Sequence, residues 1–353
     1  MSVRVRFAPS PTGTLHLGNA LTAVANRRFA DQHGGALVLR IDDTDATRSV
    51  GGGVEAIVDD LRWLGLAWDE GPIRQSERGA VYRAAAEHAE AEGGATRDAD
   101  GSLRLDGVTL LRADGTATYQ LATVADDLDL GITHVIRGSD HRPNEATQRA
   151  IARAVGSALP EVIHHGLLLG EDGKKLSKRQ GHASVADLRD EGIPAAAVRR
   201  YLEELGLPAH DVRLDRARLG RLAVDAIADM PDDELAGAVD APVGLARALR
   251  GARTLVEARE MARTIVHPVP VALPPDAERT LVRFVELRGG ASDPLDEGGA
   301  RAIVRELKAV GGDLRTLRLA LTGADRGPEL WAVVAALSTG ESLDRVRRAV
   351  GRD

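Results

Sequence analysis

Two short stretches carry the residue types that handle phosphate. "RFAPSPTGTLHLGNA", residues 6–20, sets two prolines, two glycines and a histidine between a strand-like run and a helix-like run. A glycine-containing turn at the carboxyl end of a strand lets backbone N–H groups and a helix N-terminus face an anion. Gly13 and Gly18 allow close approach, and His16, just ahead of the helix, can hydrogen-bond a phosphate oxygen. Taken alone, the stretch also reads as an ordinary loop with a structural histidine. The second stretch is "GKKLSKR", residues 173–179. Of 46 basic residues only four are lysine, and Lys174, Lys175 and Lys178 are three of them. A chain that otherwise uses arginine has concentrated compact ammonium groups in one loop, which reads either as a phosphate contact or as a solvated turn. Together, turn first and lysine loop second, the two make the halves of one bipartite nucleotide site.

The elements that must position them follow from periodicity. "VRVRF" alternates like a strand, the next run places Leu21, Val24, Ala25 and Arg28 at helical spacing, and "ALVLRIDD" reads as a second strand. Residues 53–66 put Val54, Ile57, Val58, Leu61 and Leu64 on one helical face. "VTLLRADGTATYQLATV" predicts a strand, an Asp-Gly turn and a further extended run. "ITHVIRG" reads as a strand, "NEATQRAIARAVG" as a helix and "VIHHGLLLG" as a strand leading into the lysine loop. Strands alternating with helices predict an α/β fold with a parallel sheet. From about residue 209 strand signals stop, and a separate all-α region is expected, interrupted by the proline-rich stretch 267–278 and the loop 290–299.

Composition narrows the classes. A chain of 353 residues with no cysteine has neither disulfides nor a thiolate zinc site. No apolar run is long enough to cross a bilayer and the start lacks a signal-peptide pattern, so a cytoplasmic protein is expected. A net charge of −7 neither requires nor excludes an RNA partner. His164 and His165 lie in an apolar strand where one should face the interior. Asp126, Asp127 and Asp129 read as capping or solvating a turn, and Trp63 and Trp68 as core anchors.

On these residues the chain resembles the glutamyl-tRNA synthetase family of class I aminoacyl-tRNA synthetases. "RFAPSPTGTLHLGN" is similar to the family's HIGH-containing segment and "KLSKR" to its KMSKS loop. Between them "RIDDTD", "DGTATYQLATVADD" and "GITHVIRGSDH" match the catalytic domain in order and spacing. The likeness covers residues 3–208 and reaches the C-terminal region through "LRLALTGADRGPELWAVVAAL". It implies a Rossmann-like catalytic domain over 1–208 and a helical domain over 209–353 resembling a reduced anticodon-binding region. It further implies that Mg2+-ATP activates glutamate to glutamyl-adenylate, whose glutamyl group then passes to an acceptor. By resemblance His16, Lys175, Ser177 and Lys178 are catalytic, and Pro9, Gly13, His16, Gly18, Asn19, Leu176 and Arg179 bind ATP. Arg6, Ala8, Ser10, Asp42, Tyr119, Thr123 and Arg137 bind glutamate; Arg6 and Arg137 face its carboxylates, and a guanidinium fork favours a carboxylate over an amide.

The sequence departs from the family pattern at three places. Asp42 stands where a glutamate usually contacts the substrate α-amino group, one methylene shorter, as in glutaminyl members. Asn19 replaces the last residue of the HIGH segment. The insert that grips the tRNA acceptor end is cut to residues 93–118, and zinc-bearing relatives that glutamylate queuosine hold cysteines in that insert, so no zinc is expected here. These departures leave three readings: a tRNA-charging enzyme with reduced tRNA contacts, a tRNA-independent ligase that acylates a small amine or carrier protein, and an inactive RNA-binding or regulatory homologue. Retention of both halves of the ATP site argues against the last. A monomer is expected.

Overall fold

The computed structural model describes residues 2–45, 50–174, 176 and 184–351. The chain divides into two compact units, one of Met1–Asp190 with Val198–Arg216 and the other of Glu191–Ala197 with Ala217–Asp353.

In the first unit, β1 (Arg4–Phe7), β2 (Ala36–Ile41) and β3 (Glu70–Arg74) pair in parallel in that order, connected by α1 (Leu17–Gln32) and α2 (Gly53–Trp63). β2 is buried over nearly its whole length, the pattern of a parallel strand covered on both faces. After α3 (Gly79–Ala91) the short insert folds as an antiparallel meander of β4 (Thr96–Arg97), β5 (Leu103–Leu105) and β6 (Val108–Leu111). It is a closed structure rather than a loop. Leu103, Leu105, Leu110 and Leu111 are buried in one cluster with Tyr82 and Ala86 of α3, Leu121 and Val124 of α4 (Tyr119–Asp129) and Ile151 of α5 (Glu145–Ala154). β7 (His134–Gly138) pairs in parallel with β8 (Glu161–His165). β7 also adjoins β1, because the Thr133 N–H donates to the Arg4 carbonyl (2.9 Å) and the Arg4 N–H to the Thr133 hydroxyl (2.9 Å). Strand order therefore reverses between β1 and β7, which is where an open α/β sheet leaves a crevice at its carboxyl edge.

Four sequence expectations are corrected. The run after the Asp114-Gly115 turn is the helix α4, not an extended segment. Its tyrosine, threonine and valine favour a strand locally, but Leu121, Val124 and Ala125 are buried at helical spacing and tertiary packing decides. "VIHHGLLLG" breaks in two: β8 ends at His165, and β9 (Leu168–Leu169) pairs instead with β10 (Val212–Arg213), a strand beyond residue 209. The break falls at Gly166, where a Cβ would lie 2.0 Å from the His210 carbonyl oxygen. Trp63 and Trp68 are only half-buried, and Leu61, Leu64 and Leu66 take the core positions around them. The Arg189 guanidinium covers the Trp63 ring at 4.9 Å. Asp126 and Asp127 neither cap nor solvate a turn, since both are buried at ion pairs described below.

The second unit is helical throughout its described residues beyond 217, around a core that includes Leu281, Phe284, Ile303, Leu307, Leu317 and Val333. Two interior arginines act there as backbone ties. Arg288 donates to the carbonyls of Ser292 (3.1 Å) and Leu337 (3.1 Å), and Arg345 to those of Ile265 (2.6 Å) and Leu321 (2.8 Å). No helix among the described residues is long and apolar enough to cross a membrane.

Candidate active site

The cleft at the β1/β7 switch point collects most of the residues singled out in sequence. Arg6, Ala8, Pro9, His16, Gly18, Asn19, Asp42, Tyr119, Arg137 and Leu176 all line it. Ser10, Gly13 and Thr123 lie outside its lining. Ser10 accepts the Thr12 N–H at 2.8 Å within the opening turn, Gly13 holds a φ of 102° that suits only glycine, and Thr123 is buried one helical turn beyond Tyr119. Lys175, Ser177, Lys178 and Arg179 lie outside the described residues. Between Lys175 and Ser177, Leu176 reaches the cleft; beyond residue 183, Ser184 bridges His16 and the Val185 N–H donates to the Leu15 carbonyl (2.8 Å).

The opening turn is braced from α2. The Asp60 carboxylate, almost fully buried, accepts the Leu15 N–H at 2.8 Å, and Gly53 sits so close that a Cβ would lie 2.4 Å from the Pro11 carbonyl oxygen. His16 then caps α1, its Nδ1 accepting the Asn19 N–H at 3.2 Å. A neutral ring that accepts at Nδ1 carries its proton on Nε2, so His16 is a hydrogen-bond donor at that atom. The first turn of α1 contains no acidic residue, and its N–H groups and dipole favour an anion. A Cβ at Gly18 would come 3.1 Å from His16 Nδ1, so glycine lets the imidazole lie against the helix start.

Behind the cleft stands a buried charge cluster. Arg40, with no exposed surface, clasps Asp42 through Nε (2.7 Å) and Nη2 (3.2 Å) and Asp127 through Nη1 (2.8 Å), with Asp126 at 3.6 Å. Burial pulls the Arg40 pKa down, but the carboxylates of Asp42 and Asp127 outweigh it and hold the guanidinium well above its ordinary value. Burial raises the Asp42 pKa against the pull of Arg40. Arg6 donates to Asp127 at 3.1 Å, and Asp126 accepts from Arg78 (2.6 Å), Gln75 (2.8 Å) and the Tyr82 hydroxyl (3.0 Å). Arg78 also reaches Asp129 at 2.6 Å.

Arg137 differs from Arg40 in kind. It is about 5% exposed, donates Nη1 to the Gln148 side-chain oxygen at 2.8 Å, and among the described residues has no hydrogen-bond partner for its buried Nη2. Burial and the nearby charge of Arg6 lower its pKa. Two guanidinium groups thus face one cleft, and among the described residues the one on β7 has no acidic partner within ion-pair distance. Tyr119, raised in pKa by burial and then by Asp42, lies with its hydroxyl 3.4 Å from His141. His165 is held neutral by burial, its Nδ1 donating to the Gly166 carbonyl (2.8 Å) and its Nε2 3.0 Å from the Thr22 hydroxyl. Thr22, Asp140, His141 and His165 line the cleft without being legible as site residues in the sequence, which predicts of His164 and His165 only that one faces the interior. Arg40 and the Asp126-Asp127 pair did carry a signal: a charge inside the continuous apolar run "ALVLRI", and two acids on the apolar face of α4. Among the described residues no three His, Asp or Glu side chains are grouped so as to hold a metal ion.

The family model described as tRNA synthetases class I (E and Q), catalytic domain, matches residues 2–105 and 101–215. A glutamate-tRNA ligase of Rubrobacter xylanophilus is 38% identical, with 99% of this chain and 98% of that protein covered. One from Methylorubrum extorquens is 34% identical with 98% of each covered; that alignment runs over 465 positions, so more than a hundred of them have no residue in this chain of 353. In fold, the chain is similar to the crystal structure of a glutamate tRNA ligase from Elizabethkingia meningosepticum, in complex with its amino acid, with a TM-score of 0.76, 23% identity and 99% of each chain covered. Through the catalytic-domain match and the near full-length relatives, the chain belongs to the class I tRNA synthetases of the E and Q group, as a shortened member.

Proposed function

We propose that this chain activates glutamate with Mg2+-ATP, forming glutamyl-adenylate and pyrophosphate, and passes the glutamyl group to the 3′ end of a tRNA. The observation that carries the reading is the meeting of Arg6 and Arg137 in the cleft, with a buried N–H of Arg137 left without an acceptor. A carboxylate supplies that acceptor and relieves the repulsion between the two cations, whereas an amide oxygen accepts without relieving it and the amide N–H2 meets only donors there. Asp42, Tyr119 and Ala8 complete the seat, Asp42 receiving the α-ammonium group, while Ser10 and Thr123 support it from outside the lining.

A glutamate carboxylate oxygen attacks the α-phosphorus of ATP, and the bond from that phosphorus to the bridging oxygen breaks as pyrophosphate leaves. Charge grows on the phosphate oxygens, so donors fixed beforehand stabilise the transition state more than the ground state. His16 at Nε2 and the α1 N–H groups around Gly18 and Asn19 take the phosphates from one side, with Pro9 and Leu176 shaping the ATP subsite and Gly13 setting the turn behind it. Lys175 and Lys178, assisted by Ser177 and Arg179, take them from the other. Mg2+ arrives on the phosphates as part of the substrate.

The relatives aligned end to end support tRNA as acceptor. The reduced insert, packed onto α3, α4 and α5, favours a second reading, a tRNA-independent ligase that acylates a small amine or carrier protein. Glutamate-dependent ATP–pyrophosphate exchange, with aspartate and glutamine as controls, separates them. Exchange that needs tRNA, with label reaching tRNA, is the expected result. Exchange without tRNA and no label on tRNA would select the second reading. No exchange in either condition would leave an inactive homologue.

A further inference from the structure

Arg137 is oriented from behind. Its Nη1 edge is fixed by Gln148, and its Nε lies 3.4 Å from Nε2 of His164, the residue beside it across the β7/β8 pair. Arginine only donates, so this contact requires a lone pair on His164 Nε2 and places the imidazole proton on Nδ1. The far side of the ring agrees: Nδ1 faces the Glu145 carboxylate at 3.6 Å, and Glu145 is held in turn by Arg149 at 2.6 Å. Glu145, His164 and Arg137 therefore form a row from the surface to the cleft, in which a carboxylate sets the tautomer of a histidine and the histidine sets the rotation of a guanidinium. Gln148, 1% exposed, repeats the logic on the other edge, its Oε1 taken by Arg137 and its Nε2 without a partner.

We propose that His164 is a positioning residue for substrate: in its neutral form it accepts the Arg137 Nε–H and aims the guanidinium at the carboxylate of the amino acid, and on protonation it releases that aim. The proposal rests on the reading of Arg137 as the carboxylate seat. The charged and titratable groups facing His164 are Arg137 on β7, Glu145 on α5, Arg142 just ahead of α5, and His165 next to it on β8. Burial, and then Arg137, lower the His164 pKa, while Glu145 opposes them; the ring is neutral at pH 7.5 and gains its proton only below the ordinary imidazole range. Once protonated, Nε2 turns from acceptor to donor and sets a third positive charge beside Arg137 and Arg6. Glutamate affinity should then fall as pH drops, while ATP, bound at the α1 side, is unaffected.

The test is exchange with total tRNA present, from pH 5.5 to 8.0, reading glutamate KM, ATP KM and kcat separately for the parent chain, His164→Gln and His164→Phe. Glutamine keeps an acceptor near the Nε2 position and does not titrate. The parent should show a glutamate KM that climbs toward the acid end of that series, at lower pH than a free imidazole titrates. His164→Gln should keep a KM within about threefold of the parent at pH 7.5 and lose the climb. His164→Phe should raise glutamate KM roughly five- to tenfold at every pH, with ATP KM unmoved. A climb that persists in His164→Gln overturns the proposal, as does a parental glutamate KM in His164→Phe. Should His164→Phe fail to fold, the pH profile of His164→Gln still decides. Arg137→Ala separates the two levels: a raised glutamate KM there with no effect at His164 sinks the positioning role alone, whereas an unchanged KM there, or no exchange by the parent chain, sinks the reading of the site and the proposal with it.

Discussion

Arg40 and Arg137 are both buried arginines, and their surroundings give them opposite roles. Arg40 has more acidic partners than it needs, and Arg40→Met leaves buried Asp42 without the cation that clasps it and takes one from Asp127 and Asp126, which keep Arg6 and Arg78. It should cost about 3–5 kcal/mol of stability, read as a large drop in Tm. Arg137 carries its charge in the folded chain at a cost that burial and Arg6 impose. Arg137→Met should therefore lower Tm far less than Arg40→Met, yet raise glutamate KM at least tenfold in the exchange assay and weaken discrimination against glutamine. Equal losses of Tm in the two variants would contradict this division. Neither role was legible at its residue alone, because Arg40 meets Asp127 across 87 positions of chain and Arg6 meets it across 121. What sequence does expose is the type of residue, an arginine in a run that should be apolar; the partner comes only from folding.

At the scale of elements, much of the sheet could be read from period and punctuation, and the misreadings share one cause. α4 looked extended because its residues suit a strand locally, and the "VIHHGLLLG" run looked continuous because nothing within it announces the chain that crosses at Gly166. In both, packing against distant segments overrides local preference. The start of α1 was legible because its function and its geometry use the same residues: a histidine that caps, and a glycine that lets the cap lie flat. Gly18→Ala tests that coupling. The Cβ sits in a helical first turn with no positive φ, so Tm should hold or rise slightly, but the His16 ring must shift by a few tenths of an ångström. Exchange should fall several-fold through kcat and ATP KM, with glutamate KM little changed. A variant with full activity would detach the His16 orientation from phosphate binding.

At the scale of the molecule, the sequence boundary at 208/209 and the division observed differ in a way that can be measured. Residues 209–216 belong with the first unit: Val212 and Arg213 pair with Leu168 and Leu169, and the Asp215 N–H donates to the Tyr201 hydroxyl at 2.8 Å. A fragment of residues 1–216 should therefore melt at least about 5 °C above one of residues 1–208; identical melting curves would place 209–216 with the second unit. The charge cluster has a longer reach. Asp42 contacts the cleft and is clasped by Arg40, which is clasped by Asp127, which is shared with Arg6, which contacts the cleft again. One more methylene at position 42 would drive the carboxylate about 1.5 Å further along this ring, and every member would have to move. The residue at 42 is thus tied to the whole ring: a longer acid there has to displace Arg40, and with it Asp127 and Arg6, before it can present its carboxylate to the cleft.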